Sequence, residues 1–107
     1  MNEFDDLRQR IGLLNSILDP VRDRIGSEAR MIVYRQLWNI VEILNRKLGL
    51  GLDNNALDLT VQDDQIAIHF WRGSGGVVET EETILIDRSF SVEKQSRCIG
   101  PGSVNLS

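Results

Sequence analysis

The fold turns on one stretch, Leu57-Asp58-Leu59-Thr60-Val61-Gln62-Asp63-Asp64-Gln65-Ile66-Ala67-Ile68-His69-Phe70-Trp71. Its apolar residues fall on every second position: Leu57, Leu59 and Val61, then Ile66, Ile68 and Phe70. A period of two is that of a strand with one buried face. Asp63-Asp64 supplies a turn between the two runs, so the stretch reads as an antiparallel hairpin. Asp58, Thr60, Ala67, His69 and Trp71 belong to its other face.

Downstream, Gly73-Ser74-Gly75-Gly76 reads as a turn into a third strand within Val77 to Asp87, acidic at Glu79, Glu81 and Glu82 and closing on Ile84-Leu85-Ile86. Ser89-Phe90-Ser91-Val92 is expected as a short fourth strand. Residues 93–107 are expected as an extended tail that Ile99, Val104 and Leu106 would dock.

Upstream the period changes to that of a helix. Phe4, Leu7, Ile11, Leu14, Leu18, Val21 and Ile25 follow 3-4 spacing, and Leu13 and Ile17 widen the stripe. Pro20 interrupts it, because a helix-interior proline loses a hydrogen bond and clashes with the preceding turn. The helix either kinks there or stops near Leu18 and restarts with Pro20 in a first turn. The unbroken apolar register favours a kinked or closely stacked continuation. Gly26 and Ser27 then punctuate the chain, with Ser27 as N-cap of a second helix over about Glu28 to Leu48. Its stripe is Val33, Leu37, Ile40, Val41, Leu44 and Leu48, flanked by Met31, Tyr34 and Trp38. Arg46, Lys47 and Gly49 suit its C-terminal end.

The expected class is therefore α+β: an N-terminal helical hairpin, kinked or broken at Pro20, packed on a three- to four-stranded antiparallel meander. The whole chain of 107 residues is one domain, with residues 2–48 helical, 56–92 forming the sheet and 93–107 the tail.

Composition removes several function classes. Apolar residues make up 41% and charged residues 26%, the balance of an ordinary globular domain. Twelve basic against sixteen acidic residues give a net charge of −4. Residues 1–50 are nearly balanced and residues 51–107 are acidic, so neither half carries the basic footprint of a nucleic-acid binder. A single cysteine, Cys98, rules out an intramolecular disulfide. The acidic residues at Glu3, Asp5 and Asp6 do not suit a signal peptide, and no apolar run reaches a membrane span. A cytoplasmic protein is expected, with no membrane partner.

The chemistry on offer is sparse. His69 is the only histidine, and metal ligands come in clusters, so neither a metal site nor a cofactor is expected. Cys98 lacks a placed base. The Gly73–Gly76 run precedes a strand, not the helix that a phosphate cradle requires. Asp53-Asn54-Asn55 to Asp58 departs from a calcium loop at its fifth and sixth positions. Glu79, Glu81, Glu82 and Asp87 could pair for acid–base work, yet they equally keep an edge strand soluble.

Two features point to binding instead. Trp71, beside Arg72 and sharing a face with His69, is the residue type that anchors protein interfaces. His69, Trp71 and Arg72 are therefore the expected partner-binding residues. The helical stripe exceeds what a narrow sheet can cover, so a homodimer seam is expected on Phe4, Leu7, Ile11, Leu14, Leu18 and Trp38. The leading expectation is a non-enzymatic protein–protein interaction or adaptor module that is a homo-oligomer. The alternatives are a nucleic-acid-binding regulator using Arg22, Arg24, Arg30 and Arg35, which the charge disfavours, and a small carboxylate enzyme.

Overall fold

Asn2 accepts a hydrogen bond from the Asp5 amide at 2.8 Å and so caps the first helix, whose opening turn carries Glu3, Asp5 and Asp6 at the positive end of the dipole. In the computed structural model, which describes residues 2–52, 57–74 and 77–98, this helix α1 spans Glu3–Leu18. It does not run through Pro20. The chain tightens into one 3-10 turn, Asp19–Val21, where the missing proline N–H costs little. The apolar register fails soon after: Val21 packs against the core, but Ile25 is 88% exposed.

Ser27 then accepts from the Arg30 amide at 3.0 Å and opens α2, Glu28–Leu48. Gly49 closes it in the left-handed conformation, at φ 61°, with Arg46 and Lys47 in the last turn. Asn45 extends the cap: its side chain donates to the Leu52 carbonyl and accepts from the Leu52 amide, at 3.2 and 3.1 Å. These bonds turn the chain back toward the sheet and bury Leu50.

Four strands follow in sequence order, β1 (Leu57–Gln62), β2 (Gln65–Ser74), β3 (Val77–Ile86) and β4 (Val92–Cys98), each antiparallel to the next. The turn of the first hairpin is Asp63-Asp64, with Asp63 at φ 47°, a conformation aspartate tolerates. Gly75 and Gly76, expected as the next turn, lie outside the described residues, as do Asp53–Ala56 and the tail from Ile99.

The fourth strand departs from expectation. A turn at residues 88–89 and two irregular residues precede the strand, which begins at Val92, so residues 93–98, expected as tail, are strand. Asp87 builds the turn, since its carboxylate accepts from the Ser89 and Ser91 amides at 2.9 and 3.0 Å. Phe90 sits in it at φ 62°, an unusual conformation for an aromatic residue. The ring is held on both sides, edge-on against Phe4 at 5.6 Å and under the Lys47 ammonium at 4.7 Å.

Two helices thus lie on one face of a four-stranded antiparallel sheet, an α+β fold. The core joins Phe4, Leu7, Ile11 and Leu18 of α1, Val33, Leu37, Ile40, Val41 and Leu44 of α2, and Leu59, Ile66, Ile68, Phe70, Ile84 and Ile86 of the sheet. The helical stripe therefore does not form the expected seam. Phe4, Leu7, Ile11 and Leu18 are at most 2% exposed within one chain, and Leu14 and Trp38 pack against the same cluster. Of the six residues expected to meet a second copy, Phe4, Leu7, Ile11 and Leu18 are consumed by the chain's own core, and Leu14 and Trp38 are half-buried against it. Strands β2 and β3, ten residues each, give the sheet more length than the stripe argument allowed.

The helical layer covers the sheet unevenly. Asn15 of α1 donates to the Leu59 carbonyl of edge strand β1 at 2.7 Å, and Arg8 bonds the Asp63 carbonyl in the adjoining turn. At the opposite edge every residue of β4 is exposed, on both faces.

Candidate functional site

Three surfaces carry side chains able to bind something. The first is the sheet face turned away from the helices. Register places Asp58, His69, Thr83 and Gln95 in one row across it, and Trp71, Glu81 and Arg97 in the next. His69 is half-buried between two threonines: its Nε2 lies 3.3 Å from Thr60 Oγ1 and its Nδ1 lies 3.1 Å from Thr83 Oγ1. Both ring nitrogens are engaged, so the imidazole ties three strands together. Trp71 is half-buried beside the Arg97–Glu81 ion pair of 2.7 Å.

Arg72 is not with them. Its guanidinium pairs with Glu82 and lies 5.3 Å from the Phe70 ring centroid, so it belongs to the helix-facing side. The structure therefore brings His69 and Trp71 onto one face and puts Arg72 on the other. Alternation along the strand forecasts this split, and simple adjacency hides it.

The second surface is a shallow groove where α2 ends and β3 and β4 run on uncovered. Leu50, Leu52, Phe70 and Ile84 form its apolar part, with Arg72, Glu82 and Lys94 along its margin and about 270 Å³ of space open to solvent. Leu50 and Leu52 reach it through the Asn45 cap, a link that spacing does not announce. The acidic residues of β3 do not converge there. Glu81 and Glu82 point to opposite faces, each with its own arginine, and Asp87 is occupied by turn amides. Among the described residues no group of three or more His, Cys, Asp and Glu side chains could hold a metal ion.

The third surface is the outer side of the helices. Leu13 and Ile17, which widen the apolar stripe of the sequence, are 62% and 52% exposed. On α2, Met31, Ile32 and Ile43 are 56%, 52% and 44% exposed, and Ile25 stands out in the connection. Lys47 of α2 pairs with Glu3 of α1 at 2.8 Å, which marks the flank each helix turns to the other. Ile17 lies two heptads beyond Glu3, and Ile43 lies one turn before Lys47, so both share those flanks. Ile32 lies eleven residues before Ile43, on the same side of α2. Leu13, one turn before Ile17, joins Ile17, Ile32 and Ile43 along the outer groove between the helices, whereas Met31 lies a quarter-turn round α2 from Ile32.

The helical arginines do not form a basic face. Arg22 pairs with Asp19 and Asp58 at 3.2 and 3.7 Å. Burial alone would lower its guanidinium, but the Asp19 hydrogen bond and the Asp58 charge leave it above its ordinary value. Arg30 is half-buried, with its guanidinium 5.1 Å from the Tyr34 ring centroid. Only Arg24 and Arg35 of the four remain exposed. No described helix is long and apolar enough to cross a membrane. No family model matches the chain, and comparison with characterised proteins and with solved structures gives no significant match.

Proposed function

We propose that this chain is a small non-enzymatic interaction module whose outer helical groove takes an apolar surface of a protein partner. The observation that supports it is the row Leu13, Ile17, Ile32 and Ile43, exposed on helices whose inner faces pack on the core. Isolated surface aliphatics are normal, but a contiguous set on adjoining helices marks an interaction site. A cytoplasmic setting suits its one free thiol, Cys98.

The test is a comparison of the parent chain with an Ile17→Asp/Ile32→Asp variant. Both positions are about half exposed, so the charges remain solvated and the urea unfolding curve is expected to stay put. In affinity capture from the native cytoplasm, a discrete protein retained by the parent is expected to vanish from the variant's eluate. Identical eluates from the two chains would refute the reading.

A further inference from the structure

We infer that β4 is a self-pairing edge: two copies of this chain join β4 to β4 antiparallel about a two-fold axis at Gln95, making one eight-stranded sheet. This goes beyond the helical groove and does not depend on it. The argument starts from the contrast between the two edges of the sheet. On β1 the outward Leu59 carbonyl is taken by Asn15 of α1, whereas no described element covers β4, all seven of whose residues are exposed. An open edge is a template for another strand, and proteins that remain monomeric block it with charges that repel a second copy.

The charges on β4 do not repel a second copy. Antiparallel pairing about Gln95 sets Glu93 against Arg97 of the other copy, and Arg97 against Glu93, on the face that carries Trp71. On the other face it sets Lys94 against Ser96 and Val92 against Cys98, again twice by symmetry. Opposite charges directly across an antiparallel pair attract. Shifting the axis to Lys94 puts lysine against lysine. Shifting it to between Gln95 and Ser96 puts Lys94 against Arg97. Neither Glu93 nor Lys94 enters an ion pair among the described residues, and Arg97, already paired with Glu81 of its own chain at 2.7 Å, would bridge that carboxylate and Glu93 of the other copy. Val92, 38% exposed, gains an apolar neighbour in Cys98.

The backbone fits the same register. The Asp87 amide donates to the Ser91 carbonyl at 3.1 Å, and the β3–β4 register continues that pairing. In an antiparallel ladder the hydrogen-bonded positions alternate. Ser91, Glu93, Gln95 and Arg97 therefore turn their amides and carbonyls to β3, and Val92, Lys94, Ser96 and Cys98 turn theirs to the open edge. A two-fold axis at Gln95 brings Lys94 opposite Ser96, so the free groups of one copy meet the free groups of the other.

Sedimentation of the full chain at tens of micromolar is the experiment. The parent is expected to be a dimer. Glu93→Lys alone sets two positive charges against each other at both symmetric positions, and Arg97→Glu alone sets two negative charges there. Each is expected to weaken self-association about tenfold or more. Mixing the two variants restores both opposite-charge pairs, and a mixed dimer is expected although neither variant dimerises alone. Ser96→Pro removes an edge amide without touching the β3 ladder, and is expected to give a folded monomer. A monomeric parent overturns the inference. So does a parent dimer that both charge variants and Ser96→Pro leave intact, or a mixture that fails to dimerise. The Ile17→Asp/Ile32→Asp variant is expected to remain a dimer, which separates failure here from failure of the helical groove.

Discussion

Gly12 and Gly49 are the same residue type under opposite constraints. Gly12 lies inside α1 on its exposed side, with nothing within 4 Å of an added Cβ, so the glycine there only adds backbone freedom to the unfolded chain. Gly12→Ala is expected to raise stability by about 0.8–1 kcal/mol, the difference in helix propensity. Gly49 has equal room, but its φ of +61° is the left-handed region an L side chain resists. Gly49→Ala is expected to lower stability by about 1 kcal/mol despite the open space. Urea unfolding of the two variants against the parent checks both signs. Gly49 was legible as a stop in the sequence because it follows Arg46 and Lys47 at the end of an apolar period. Phe90 was not legible: aromatic and flanked by serines, it reads as strand. Only the Asp87 carboxylate binding two amides, and contacts from Phe4 and Lys47 far along the chain, explain why it turns instead.

Elements whose burial is one-sided announced themselves, and the one without burial did not. Helices α1 and α2 and strands β1 to β3 carry the apolar periods of a face that meets the core. Strand β4 reads Val92-Glu93-Lys94-Gln95-Ser96-Arg97-Cys98 and has no such face, because neither side of it is covered. Its pairing with β3 rests on backbone bonds that leave no trace in hydrophobic pattern. The end of α1 was ambiguous for a related reason: the stripe from Phe4 to Ile25 keeps its spacing past Pro20, but the backbone stops at Leu18 and Ile25 faces water. The opposite edge shows what an element does when its neighbour does cover it. Asn15 donates to the Leu59 carbonyl, half-buried beneath α1, and removing that donor strands a carbonyl where water has poor access. Asn15→Ala is expected to cost about 1–2 kcal/mol, more than alanine's helix propensity returns. A fall in the urea midpoint with an unchanged slope checks it.

At the scale of the molecule the question is which aliphatics hold one chain together and which are left for others, and neighbouring residues of α1 answer it differently. Leu18 is fully buried and Ile17 is about half exposed, although both stand in the apolar stripe of the sequence. A period alone cannot rank them, because the width of the covered arc depends on how the helix is set on the sheet and against its neighbour helix, which spacing within one helix does not show. Leu18→Ala opens a cavity in a packed core and is expected to cost about 2–5 kcal/mol, a large share of a small domain's stability. Ile17→Ala removes surface that water already reaches and is expected to change stability by no more than about 0.5 kcal/mol. Protein concentration separates an internal core from a seam. If Leu18 served a contact between copies, the penalty for Leu18→Ala would grow as the chain is concentrated, since association is linked to folding. Because its partners lie in the same chain, the gap between variant and parent is expected to hold steady in urea titrations over about a tenfold concentration range, even where the parent's own midpoint moves with dimer formation through β4.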